Sequence, residues 1–385
     1  MRTALAFCLL ASTAAADCGG SFTGFLDGVR TEARARDLPE EAISRFLSGA
    51  SLDQAVLKAD RSQSVFQKDF LAFSRALISQ HRMDHGARNA ARYDSTFTQI
   101  EARYGIPRGV LLAFWAFETD YGAVQGSFNT RNALLTLAHD CRRPELFRPQ
   151  VFAGIQLTAE RGMNPSTTTG AWAGEIGQVQ MLPGDIIENG RDGDGDGVVD
   201  LKGSSPDALM SGASVLSSLG WRAGEPWLQE ITVPATLNWA ETGLNHPKTV
   251  AEWNALGVTS RDGTAPETLT ARVLLPMGRN GPAFFAYENF DVYFEWNKSF
   301  VYVTTAAYFA TRLSGAPAYN AGNPSPALTG EEMQLLQQKL TARGHDVGGI
   351  DGILGAKTRE AVQREQSRLG LPADAWPTHA LLNTL

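Results

Sequence analysis

Apolar positions recur three and four residues apart along much of this chain, and that spacing predicts helices. Leu38, Ala42, Ile43 and Phe46 mark one over 38–46, and Phe66, Phe70, Phe73 and Leu77 mark another over 65–78. An amphipathic helix over 89–104 is ended by Gly105, and a new one starts after Pro107. Further helices are predicted over 132–139, 152–161, 205–219 and 302–313. Residues 164–183 are rich in Gly, Thr and Ser and read as a long loop, while 231–275 mix short strand-like runs with turns. The pattern is mainly α with a smaller β part. Residues 315–328 carry no charge and three prolines, a linker composition. Beyond them, 329–385 form a compact unit of 57 residues with helices over 331–343 and 356–369.

The N-terminus has a separate logic. Met1-Arg2 is a short basic start, and Thr3 to Ala16 is apolar and ends in small residues. This predicts a signal peptide over 1–16, with the mature chain starting at Asp17. The run is shorter than the ~20 apolar residues that span a bilayer. An exported protein with a periplasmic location, no membrane span and a monomeric state is expected. The organisation is then a signal peptide (1–16), a large domain (17–314), a linker (315–328) and a small C-terminal domain (329–385). Of the three cysteines, Cys8 leaves with the signal peptide. Cys18 and Cys141 remain, and an oxidising compartment would let them pair. A formal net charge of −7 argues against nucleic acid as partner.

The chemistry concentrates in three places. In 105–122 (GIPRGVLLAFWAFETDYG) every position from Val110 to Phe117 is apolar, so the helix is expected to be buried on all faces. Glu118 ends that run, with Leu111, Phe114 and Trp115 on its own face. Burial there would raise its pKa and suit it to general acid work; a salt-bridged Glu at a helix end is the other reading. In 170–183 (GAWAGEIGQVQMLP), glycines, Gln178, Gln180 and Trp172 suit a carbohydrate cleft, since amides bond hydroxyls and a ring stacks on a sugar face. Third, Asp192, Asp194, Asp196 and Asp200 stand at positions one, three, five and nine of an EF-hand loop, with Gly197 at the turn. Val198 would add its backbone carbonyl. Position twelve is Gly203 instead of Glu, and Asp207 follows four residues later. A structural Ca2+ is expected, and no cofactor for catalysis. The six histidines are scattered and no HExxH occurs, which disfavours a zinc hydrolase; no GxSxG occurs, which disfavours a serine hydrolase.

Together, AFWAFETDYG (113–122), NALLTLA (132–138), AGEIGQVQMLP (173–183), DGDGDGVVDL (192–201) and LGW (219–221) resemble the membrane-bound lytic murein transglycosylase B family. The resemblance covers most of 20–314. It implies a lysozyme-like catalytic domain that cuts the glycan strands of peptidoglycan. Glu118 maps to the family's catalytic acid/base, and Gln178 and Gln180 map to glutamines that line its cleft. A Tyr-Asn-Arg-Ser stretch that touches substrate corresponds to Trp296-Asn297-Lys298-Ser299, so Trp296 would stack, or Tyr293 would substitute, beside Asn297. Glu175 stands where the family has a small residue, and a Glu175 facing Glu118 would favour a lysozyme-type hydrolase. The implied reaction needs no water: Glu118 protonates the bond between MurNAc and GlcNAc, then takes the C6 hydroxyl proton as a 1,6-anhydro end forms. Residues 329–385, with Gln337, the Asp351-Gly352 turn and Gln366, resemble a three-helix peptidoglycan-binding domain that would tether the enzyme to its polymer. An inactive wall-binding scaffold is the non-enzyme alternative.

Overall fold

The structure is a computed structural model, and it describes residues 18–62, 68–262 and 265–385. The proposed signal peptide (1–16) lies outside the described residues, as do residues 65–67 of the helix predicted over 65–78; the rest of that helix is Phe70–Leu77. No described helix is long and apolar enough to cross a membrane. The chain forms two compact units that alternate along the sequence.

The first unit takes residues up to Ser62, then Gly126–Ile176 and Met181–Glu188. Helices Phe22–Ala35, Glu40–Leu47, Gln54–Arg61, Thr130–His139 and Pro144–Glu160 surround a core that includes Phe46, Leu134, Leu135, Val151 and Ile155. The last helix starts eight residues before the apolar spacing announced it, at Pro144, a residue suited to a first helical turn. Cys18 and Cys141 form a disulfide across 123 residues of sequence, the pairing expected of them. Asp60, 2% exposed, is held by Arg142 and Arg143. A short antiparallel ladder joins β1 (Phe128–Asn129) to β2 (Thr169–Gly170). The loop that carries Trp172 and Glu175 leaves directly from β2.

The second unit holds Gln63–Gln125, Gly177–Gln180 and Asn189–Leu385. The helix predicted over 89–104 is two helices, Gln80–Arg92 and Asp94–Tyr104, with Tyr93 capping the first and opening the second. Gly105 follows at φ 63°, the left-handed cap its residue type predicts. The apolar helix Arg108–Thr119 packs on Phe300–Leu313. Phe117 stacks on Phe309 at 5.3 Å, and a Cβ on Gly109 would meet Ala310 O at 2.8 Å, so only glycine allows this approach. The strand-like region becomes a five-stranded antiparallel sheet of β3 (Leu228–Thr232), β4 (Lys248–Thr249), β5 (Thr259–Ser260), β6 (Thr270–Leu274) and β7 (Phe284–Tyr287), ordered β4-β6-β7-β3-β5. Trp253, Val273, Phe285 and Tyr287 fill its core.

The C-terminal helices Gly330–Ala342, Ala356–Arg368 and His379–Thr384 pack around Met333, Leu336, Leu340, Val362 and Leu381. Thr329 and Glu332 make a reciprocal capping box at the first. Glu365 is 3% exposed. Hydrogen bonds from Arg368, with His345 at 2.8 Å, hold its carboxyl down to about 2 against the cost of burial. The uncharged segment 315–328 is not a loose tether. Tyr319 packs on Tyr308 and Phe70, Asn320 N donates to Glu230 at 2.6 Å, and Ser325 O accepts from Trp376 Nε1.

Candidate active site

The site grows from the end of the helix Arg108–Thr119. After Thr119 the chain turns through Asp120 (φ 52°), Tyr121 (φ 60°) and Gly122 (φ 87°), all left-handed. Two non-glycine residues in that region cost ~1 kcal/mol or more each. Local bonds offset this. Arg82 pairs with Asp120 at 2.9 Å, and Tyr121 Oη donates to Arg82 O at 2.8 Å. Thr119 Oγ1 donates to Gln178 O and accepts from Gly122 N. Gly122 is obligatory, because a Cβ there would press on Gln178 Oε1 at 2.6 Å.

This turn fixes Glu118. Tyr302 Oη donates to Glu118 Oε1 at 2.6 Å, and Trp296 Nε1 donates to the same oxygen at 2.9 Å. Neither donor is a cation, so the salt-bridged reading of Glu118 fails. Among the described residues none donates to Oε2. The residue keeps some exposed surface, yet its carboxyl is desolvated. Desolvation raises its pKa above the ordinary carboxylate value, and the Tyr302 and Trp296 hydrogen bonds pull it partly back. With two donors occupying Oε1, a proton on the carboxyl belongs on Oε2. The arrangement is that of a neutral acid with one oxygen clamped and the other available.

Trp296 therefore does something other than the expected stacking on sugar alone. Its ring lies 4.6 Å from Phe114, and its N–H orients the carboxyl. Tyr293 is 0% exposed and stacks on Phe114 at 4.9 Å, so it cannot touch substrate; the aromatic helix Glu288–Trp296 turns it inward. Gln178 is also turned inward, at 5% exposure. Its Oε1 accepts from Trp115 Nε1 and Ser205 Oγ, and its Nε2 donates to Lys202 O. A buried indole N–H needs an acceptor, and this amide supplies it. Gln180 differs: it is left-handed at φ 52°, its Nε2 donates to Gly177 O at 2.7 Å, and among the described residues none donates to its Oε1. Asn297 is half-buried, and its Oδ1 accepts from Ser299 N at 2.9 Å, closing the turn after Trp296. Trp172 and Glu175 belong to the first unit. Trp172 packs against that unit's core, and Glu175 is half-buried instead of facing solvent freely. Tyr302 is the residue sequence reasoning missed. It sits in FVYVTTAAYFATRL, where an aromatic at helical spacing reads as core.

In the acidic loop, Asp192, Asp194 and Asp196 each bring a carboxylate oxygen within 4.8 Å of the others, all exposed. Backbone N–H groups organise them: Gly195 and Gly197 donate to Asp192, and Val198 N to Asp196. The Gly197 and Gly195 amides hold the Asp192 carboxyl below its usual range. Three hard oxygen donors fit a calcium ion. Asp200 stands outside that trio; its Oδ1 accepts from Lys202 N and Gly203 N. Asp207 is no spare ligand. It is 1% exposed and its two oxygens accept from Gly193 N and Asp200 N, tying the loop's ends together.

Residues 21–311 match the family model described as Transglycosylase SLT domain, and 329–385 match a peptidoglycan binding domain. The chain is 24% identical over 235 residues to membrane-bound lytic murein transglycosylase B of Escherichia coli (strain K12), covering 60% of this chain and 63% of that relative. The crystal structure of SltB3 from Pseudomonas aeruginosa, in complex with NAG-anhNAM-pentapeptide, is similar at a TM-score of 0.86 and 34% identity. That match covers 95% of this chain and 99% of that one. The Escherichia coli lytic transglycosylase Slt35, in complex with calcium, shares the fold at a TM-score of 0.66 and 21% identity, over 77% and 96% of the two chains. These likenesses agree with the mainly α, lysozyme-like architecture with a small helical C-terminal domain.

Proposed function

The chain belongs to the transglycosylase SLT domain family, and on that premise we propose that it is a peptidoglycan lytic transglycosylase in which Glu118 is both acid and base. The observation that carries this reading is the clamp of Trp296 and Tyr302 on a single oxygen of a desolvated carboxyl. Raised by burial, Glu118 holds its proton on Oε2 and gives it to the glycosidic oxygen as the MurNAc C1–O bond breaks. The MurNAc acetamido group stabilises the positive charge growing at C1. Now ionised, Glu118 is stabilised by its two donors while it takes the proton of the C6 hydroxyl, whose oxygen closes onto C1. The proton lent in the first step is recovered in the second, and no water is consumed. In the second unit Gln180 Oε1 and Asn297 are polar groups proposed to meet sugar; in the first unit Trp172 is a ring proposed to stack on it. SltB3, at 34% identity, is solved with NAG-anhNAM-pentapeptide and also with NAG-NAM-pentapeptide, which supports this reading.

Asp192, Asp194 and Asp196 would hold a calcium ion, with Val198 O and Asp200 completing the shell directly or through water. The ion would supply charge neutralisation and loop rigidity, not chemistry. The loop reaches the site through Leu201 O, which accepts from Gln178 N, and through Lys202 O, which accepts from Gln178 Nε2. Boundaries at 17–314, 315–328 and 329–385, a cleaved signal peptide and a periplasmic location complete the reading. Digestion of purified peptidoglycan tests it. Products with 1,6-anhydro-MurNAc ends, lost in Glu118→Gln, are expected by mass spectrometry. Reducing ends would make it a hydrolase; no release beyond that of Glu118→Gln would make it a scaffold.

A further inference from the structure

The two donors that clamp Glu118 straddle one turn. Trp296 ends the helix Glu288–Trp296, and Tyr302 lies in the first turn of Phe300–Leu313. Between them, Asn297 Oδ1 accepts from Ser299 N, and Ser299 Oγ caps the second helix by accepting from Tyr302 N. Whatever fixes this turn fixes the acid. Phe300, 5% exposed, is the residue at its end that packs against a partner outside the turn. That partner is Arg359 of the C-terminal helix Ala356–Arg368, whose guanidinium lies 4.3 Å from the Phe300 ring centroid.

Arg359 is placed at a cost. Its Nε is buried without a hydrogen-bond partner. Burial lowers its pKa to about 9 although Asp374 lies near enough to raise it. What it gains is local: Nη2 donates to Pro276 O at 2.6 Å, Nη1 faces Leu275 O at 3.4 Å, and the Trp376 ring lies 5.7 Å away. Neighbouring contacts are as specific. Gln363 Nε2 donates to Trp239 O and Thr242 O, and Arg279 bonds Asp374 through both its backbone N and Nη1. Gln363, Asp374 and Trp376 are 8%, 4% and 3% exposed. A module that served only as a tether on a free linker would leave such polar groups in water. This one is keyed into the body beside the catalytic turn.

We infer that the C-terminal module is a buttress of the active site, with Arg359 as a positioning residue that acts through Phe300 to hold Trp296 and Tyr302 against Glu118. The inference rests on the reading of Glu118 as the acid and base. The groups that act on that carboxyl are neutral, Tyr302 and Trp296; Arg82, paired with Asp120, acts on Tyr302. The donors lower the Glu118 pKa, so a loosened clamp lets it rise.

The test is kcat against pH for the full-length protein on a short soluble glycan of alternating GlcNAc and MurNAc, which needs no tethering. Parent, Arg359→Ala, Arg359→Lys, Phe300→Leu and Glu118→Gln are compared. Arg359→Ala is expected to lower kcat roughly ten- to a hundred-fold, as misplacement of a catalytic group does, with the basic limb moved to higher pH. Phe300→Leu should move the limb the same way, and Arg359→Lys should recover part of the loss. Parent-like kcat and limb in Arg359→Ala, with only binding to sacculi weakened, would reduce the module to a tether. A lower melting temperature and kcat with an unmoved limb would reduce Arg359 to a packing residue. If Arg359→Ala does not fold, Phe300→Leu and Arg359→Lys decide: two parent-like profiles overturn the inference. Activity surviving in Glu118→Gln would instead overturn the assignment of the acid, a result separate from all of these.

Discussion

Two sets of carboxylates in the second unit have opposite environments. Glu118 is desolvated, is held by neutral donors on one oxygen, and prefers its proton. Asp192, Asp194 and Asp196 are exposed and collect backbone N–H donors, which hold the Asp192 carboxyl below its usual range. The side-chain chemistry is nearly the same; the surroundings decide whether the group handles a proton or a cation. In the first case an apolar helix removes water. In the second, a glycine-rich loop lets successive amides turn inward, with Gly195 and Gly197 at φ 83° and 89°. The two are mechanically joined, because Gln178 braces Trp115 and Thr119 at the acid and receives its own support from Leu201 and Lys202 of the loop.

The strongest way to break this contrast is Glu118→Gln. It removes the proton and should lower kcat by about 10²–10⁴. It also has a stability signature. Below the ordinary carboxylate value Glu118 is neutral in both folded and unfolded chains, so its burial is tolerated in full. As pH rises toward the elevated native value, the unfolded chain ionises first and the folded state loses relative stability. Glu118→Gln cannot ionise, so its melting temperature should fall less than the parent's as pH rises above the usual carboxylate range. Equal pH dependence in the two proteins would remove the argument from burial.

Tyr302→Phe is next in size. It deletes the 2.6 Å donor and keeps the ring that packs edge-on to Phe117 at 5.8 Å. Loss of a hydrogen bond to a charged group costs ~1.5–3 kcal/mol, roughly ten-fold or more in rate when the charge forms on the path. With a pKa-lowering donor gone, the basic limb of kcat should move to higher pH. A limb that moved to lower pH would mean that Tyr302 does not stabilise the carboxylate.

Smaller still is removal of cation binding by Asp192→Asn with Asp194→Asn. The parent should melt higher with calcium than with chelator, by the equivalent of ~2.7 kcal/mol at one hundred times the dissociation constant. The double variant should lose that difference while keeping most of its kcat, because the ion acts on Gln178 and its neighbours and not on the reacting atoms. A kcat as low as that of Glu118→Gln would place the loop in the chemistry.

The same contrast explains what could be read in the sequence. Glu118 was legible because the clue is local: eight apolar residues followed by one carboxylate. The cluster of Asp192, Asp194 and Asp196 was legible for the same reason, as spacing alone brings these carboxylates together. Tyr302 was not, since its partner is 184 residues away and its neighbours spell a core helix. Gln178 and Tyr293 failed for a related reason. A polar residue on a glycine-rich loop reads as ligand-facing, until a buried indole N–H at Trp115 claims the amide. The break at Tyr93 was invisible because the apolar spacing runs through it. Short elements such as β4 and β5, two residues each, follow from pairing with longer strands and carry no period of their own.

The last position of the acidic loop sharpens the contrast by the smallest expected effect. Gly203 stands where an EF-hand places a bidentate Glu, so Gly203→Glu looks like a gain of affinity. The local geometry opposes it. Gly203 N already donates to Asp200 Oδ1 at 2.9 Å, and a Cβ at 203 would overlap Asp200 Oδ2. Asp200 would have to leave the Lys202 and Gly203 amides, and its backbone N is itself held by buried Asp207. A new carboxylate would also add negative charge beside one already in place. Calorimetric titration should therefore find calcium binding no tighter in Gly203→Glu than in the parent. A ten-fold tighter ion would mean that the Asp200 turn yields easily, and that this loop's rigidity comes from the ion and not from the amides that line it.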